Sequence, residues 1–130
     1  MRKIVVSIQN CLLAEAISQM MLESGEFQPV RVAAAGTRKS DLAYQCRALE
    51  AELLIAEVAY TAGTTIDARL TEAKEIREVL PNCKIVLLCD ENSAPELARE
   101  VMLAKRDGRI DGFFYSSVTA KYLLAALLSL

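Results

Sequence analysis

The 130-residue sequence contains no histidine. That absence excludes Ser-His-Asp and Cys-His nucleophilic catalysis, His-ligated zinc and any phosphohistidine role. The four cysteines, Cys11, Cys46, Cys83 and Cys89, form no C-x-x-C pair. The short basic start MRKIVVSIQN fits a strand better than an export signal, so reduced thiols in a cytoplasmic protein are expected. No apolar run approaches the roughly 20 residues of a membrane span. A formal net charge of −2 gives no global attraction to nucleic acid or anionic lipid. The residues after the first strand pattern, Ile8-Gln9-Asn10-Cys11, are neither Gly-rich nor a Ser/Thr-rich anion loop. Nucleotide and flavin sites are therefore not expected, and no cofactor or metal is assigned. Linkers, repeats and low-complexity stretches are also lacking.

What is present is a chain that is 53% hydrophobic and 25% charged, which suits one compact domain over residues 1–130. Its centre is Glu52–Tyr60, ELLIAEVAY. Leu53, Leu54, Ile55 and Ala56 make an apolar run too short for a lone helix and right for a strand buried on both faces. The run ends in a carboxylate, Glu57. Around it, Lys3–Ile8, Gln28–Ala35, Lys84–Cys89 and Ile110–Tyr115 read as four more strands. The helices read as Cys11–Ser24 with Asn10 as cap, Ser40–Glu50, Asp67–Leu80, one from the capping box Ser93-Ala94-Pro95-Glu96, and one from Thr119 to Leu130. Alternation of this kind predicts an α/β fold of three layers, a flavodoxin-like parallel sheet in the order 2-1-3-4-5. In such a sheet chemistry collects outside the carboxyl ends of the strands, which is where Glu57 falls.

The pattern resembles the receiver domain of bacterial two-component response regulators. Glu72–Asp90, EAKEIREVLPNCKIVLLCD, is similar to the family's third helix, proline stop and fourth strand. Gly108–Leu124, GRIDGFFYSSVTAKYLL, is similar to its fifth strand and final helix. Cys11–Ile17, CLLAEAI, resembles the first helix found ahead of helix-turn-helix domains in transcription regulators. The family's chemistry uses two acids after strand one and an aspartate ending strand three to hold magnesium. A hydroxyl residue and a lysine meet the phosphoryl oxygens, and transfer is mainly positioning and charge neutralisation. Carried over by position, the two acids fall on Ile8 and Gln9, with Asn10 next. The phosphoacceptor falls on Glu57, the hydroxyl on Cys89 and the lysine on Ser116. The aromatic switch residue falls on Phe113. The resemblance thus implies a degenerate receiver whose fold signals remain and whose reactive residues do not.

Three readings of Glu57 stay open: a remnant that hydrogen-bonds loop amides such as those near Gly63, a fixed mimic of phosphoaspartate, and a reactive group. Asp90 is a possible extra acid beside it. The implied function is a signalling or regulatory protein-interaction module, not an enzyme. Its output surface would lie around Phe113 and the fourth and fifth helices. The leucine-rich last helix suggests a homodimer through helix four, strand five and helix five, or through helices one and five, with Tyr122, Leu123 and Leu127 at the contact. Two alternatives are the regulatory half of a DNA-binding response regulator whose effector domain lies outside this chain, and a phosphoacceptor of unusual chemistry. No direct nucleic-acid or membrane contact is expected of this domain.

Overall fold

A computed structural model describes residues 2–32, 41–59, 65–89 and 95–130. Strands and helices alternate as β1 (Arg2–Ser7), α1 (Cys11–Ser24), β2 (Phe27–Arg31), α2 (Asp41–Leu49), β3 (Leu53–Val58), α3 (Ile66–Val79), β4 (Lys84–Cys89), α4 (Pro95–Arg106), β5 (Gly112–Tyr115) and α5 (Ala120–Leu128). The strands form one parallel sheet in the order β2-β1-β3-β4-β5, as the alternation predicts. Each crossover helix returns the chain to run parallel to the strand before it, which yields a flavodoxin-like, three-layer architecture.

Both faces of the sheet are covered, which is why the central strand reads as a continuous apolar run. Successive side chains of β3 point to opposite faces. Leu53 and Ile55 join a core with Ile4, Val6, Ile17 and Met21, on the side of α1 and α5. Leu54, Ala56 and Val58 join a second core with Leu70, Ile76, Leu97 and Val101, on the side of α2, α3 and α4.

Helix ends follow local chemistry. Asn10 caps α1, its Oδ1 accepting the Leu13 N–H at 3.2 Å, and Gly25 closes that helix at φ 73°. Thr119 caps α5 by accepting the Tyr122 N–H at 3.2 Å. Thr65 caps α3 by accepting from Ala68, so the helix begins at Ile66, one residue before the expected Asp67. β2 carries Pro29 and lies at the sheet edge, where a missing N–H is tolerated. The expected extension of β2 through Ala35, the Ser40 cap and the first half of the Ser93–Glu96 box lie outside the described residues. β5 begins at Gly112, two residues later than expected. Asp111 spends its side chain on β4 instead: Oδ2 accepts the Ile85 N–H at 2.8 Å and a guanidinium N–H of Arg77 at 2.7 Å.

The last helix corrects a sequence expectation. Leu123 and Leu127, expected at an intermolecular contact, are 2% and 0% exposed and belong to the core facing α1. They are one turn apart, so one stripe faces the sheet. The large apolar side chains left outside are Tyr122 and Leu128. Arg2 fastens the end of this helix, donating to the carbonyls of Leu127 at 3.4 Å and Leu130 at 3.2 Å.

Candidate functional site

The carboxyl ends of β1, β3, β4 and β5 and the turn into α1 bring together the positions singled out in the sequence. Glu57, next to last in β3, is half-buried. Its Oε1 accepts the backbone N–H of Gln9 and, at 3.3 Å, that of Asn10. These amides lead directly into α1, so the carboxylate rests against the positive end of that helix. The amides that meet the Glu57 carboxylate belong to the turn after β1. Gly63 and Asp90 lie outside the described residues.

Beneath Glu57 the structure places a side chain that the sequence reading passed over. Arg69 of α3 is 2% exposed. Its Nε donates to the Glu57 carbonyl at 2.7 Å, and its Nη2 to the Ser7 carbonyl at 3.0 Å. Nη1 donates to Ser7 Oγ at 3.0 Å and to Glu72 Oε2 at 3.4 Å. One guanidinium thus ties the ends of β1 and β3 to α3. Burial pushes its pKa down from the usual value, and the charges of Glu72 and Glu57 oppose that; the group keeps its proton at neutral pH. Burial pushes Glu72 up, against the pull of Arg69. A signal was present in the spacing. Ile66, Arg69, Leu70, Ala73 and Ile76 are the buried residues of α3, and they fall on one helical stripe. A charge inside an apolar stripe marks a buried, paired ion.

The remaining positions fall on both sides of the sheet. Ile8 is 5% exposed and packs into the α1-side core. Cys89 is buried in the opposite core, and its carbonyl accepts the Ser116 N–H at 2.9 Å. Ser116 lines an apolar cleft of about 130 Å³ between α1 and α5, together with Leu13, Ile17, Leu88 and Leu123. Phe113 is half-buried against α4, its ring edge-on to Tyr115 at 5.9 Å. Magnesium takes several oxygen ligands and favours carboxylates. Among the described residues no cluster of three acidic, cysteine or histidine side chains could hold a metal ion. Glu57 Oε1 is already engaged by two amides. The residues described here do not fit a divalent cation.

None of the four cysteines is in a disulfide, and Cys11 alone is exposed. Burial, with Cys83 and then Glu72 nearby, pushes the Cys46 thiol up to about 12. Burial and Asp111 push Cys83 up to about 11, with Arg77 acting in the other direction. Thiols with raised pKa stay protonated and unreactive. The native protein is therefore expected to consume one equivalent of a thiol reagent at mildly alkaline pH, at Cys11, and three more after denaturation. Fast native modification of two or more would contradict this burial pattern.

No protein-family model matches the sequence, and none of the curated proteins does. Solved structures do match. A LuxR-family DNA-binding response regulator from Staphylococcus aureus superposes with TM-score 0.74 at 14% identity, over 99% of this chain and 98% of that one. The receiver domain of the response regulator NarL from Mycobacterium tuberculosis gives 0.72 at 16%, over 98% and 94%. A pilus assembly-related protein from Burkholderia pseudomallei gives 0.71 at 12%, over 99% and 88%. At these identities the likeness is one of fold. Among the described residues, no helix is long and apolar enough to cross a membrane.

Proposed function

We propose that this chain, which has the receiver fold of response regulators, is a cytoplasmic signalling module. It acts by binding protein partners and is not phosphorylated in the manner of that family. The observation that carries this reading is the state of Glu57. The carboxylate at the phosphoacceptor position is bound by the amides of Gln9 and Asn10. Ile8 and Ser116 stand where an acid and a lysine would be needed. Incubation with acetyl phosphate and magnesium, read by intact mass, is expected to add no phosphoryl group. A stoichiometric adduct mapped to Glu57 would overturn the reading in favour of a phosphoacceptor of unusual chemistry.

The output surface in this reading is the face formed by α4, β5 and α5. A shallow groove of about 390 Å³ there is lined by Met102, Leu103 and Phe113 among Arg99, Lys105 and Arg106. Tyr115 and Tyr122 are exposed, Tyr115 edge-on to Phe113 and Tyr122 edge-on to Phe114. Exposed apolar and aromatic side chains ringed by charge suit a protein contact, and a second copy of this chain is the first partner to test. The face of α1 and α5, where Leu12 is 81% exposed, is the other route to a homodimer. A second reading, the regulatory half of a DNA-binding regulator, is favoured by the likeness to a protein of that kind. A reading frame continuing past Leu130 into a helix-turn-helix domain would support it.

A further inference from the structure

Arg69 raises a question that the receiver comparison does not answer. A buried charge is expensive unless it is fully engaged. This one reaches the ends of two adjacent strands and the underside of Glu57, and makes four hydrogen bonds. Two of its acceptors are carbonyls of the residues at the strand ends, Ser7 and Glu57. Above it, the Glu57 carboxylate reaches the Gln9 and Asn10 amides that open α1. Cation, strand ends, carboxylate and helix start therefore form one connected unit, and every member is a residue of this chain.

We propose that Arg69 is the resident cation of the sheet end, standing in for a divalent ion, and that Glu57 is the resident anion at the start of α1. The turn from β1 to α1 is then held in one arrangement by side chains alone, and neither magnesium nor a phosphoryl group changes it. Arg69 is a positioning residue: it acts on the turn through Glu57 and Ser7. The inference rests on the reading of the chain as a receiver that is not phosphorylated in the family manner. It predicts something more specific, that the turn depends on the charge at position 69. Phosphorylation could be absent for other reasons, so the two fail separately.

The test is a set of amide spectra of the 15N-labelled full chain. In the wild type, MgCl2 added at constant ionic strength is expected to leave the Gln9 and Asn10 resonances in place. A saturable shift there would overturn the proposal. In Arg69→Met, the same two resonances are expected to shift or broaden, while those of Ala125 and Leu127 on α5 keep their positions. Arg69→Lys retains the charge and is expected to return Gln9 and Asn10 toward their wild-type positions. A merely structural role would perturb α3 and Ser7 in both variants and leave Gln9 and Asn10 unmoved, and that result also sinks the proposal. Should Arg69→Met fail to fold, Ser7→Ala removes one acceptor and keeps the charge. It is expected to move Gln9 and Asn10 less than Val6 and Ile8, and the reverse order would count against Arg69 as the source of control.

Discussion

Replacing Arg69 with methionine is expected to lower the unfolding free energy by about 3–5 kcal/mol, the cost of removing one partner from a buried ionic network. At the few degrees per kcal/mol typical of a chain this size, the melting temperature falls by roughly 10–20 °C. The magnitude follows from what is left behind. The carbonyls of Ser7 and Glu57 each lose a donor, and Glu72, with a side chain 18% exposed, loses its counter-ion. Two comparisons separate the network from generic charge loss. Arg106→Met removes a guanidinium that is 73% exposed and pairs with its neighbour Asp107; it should change stability by about 0.5 kcal/mol or less. Adding Glu72→Met to Arg69→Met should recover part of the loss, because the uncompensated carboxylate goes with it. Thermal or urea unfolding of the four proteins measures all of this, and a cost for Arg69→Met below about 1 kcal/mol would show that the network is not a stabilising one.

The second large effect is expected at Leu127. Truncation to alanine should cost about 3–5 kcal/mol, since the side chain is fully buried and the site is hemmed by the sheet and α1. The association state of the folded protein should not change. The paired variant Tyr122→Ala/Leu128→Ala removes side chains from positions 63% and 43% exposed. It should leave stability within about 0.5 kcal/mol per site while weakening any self-association through this end of the molecule. Sedimentation and unfolding experiments on both variants assign each leucine to core or surface. A Leu127→Ala protein that stays stable but dissociates would reverse the assignment.

The strands were legible because two buried faces impose a continuous apolar run, and the helices because polar caps and glycines mark their ends. Asn10, Gly25 and Thr119 stand where their chemistry predicts. β5 was read two residues long because Asp111, chemically a turn residue, is bonded to β4 through its side chain, a long-range choice that local pattern does not encode. The leucines of α5 misled for a related reason. Composition shows how many apolar residues a helix carries, but which turn faces the sheet is decided by packing. At the site, the position of Glu57 followed from topology, whereas its partners did not. Backbone amides have no sequence signature, and Arg69 stands among apolar residues on the buried stripe of α3, where one charge leaves the helical period intact.

The burial of Ile8 bears on how a metal-dependent switch could be built into this molecule by design. An aspartate at position 8 would put a carboxylate into the apolar core beside Ile17 and Leu88, and one at position 9 would meet Glu57 with like charge. Each change made singly is therefore unfavourable, and neither yields a metal site while Glu57 remains bound to the Gln9 and Asn10 amides. A design through these two positions therefore has to change Glu57 as well.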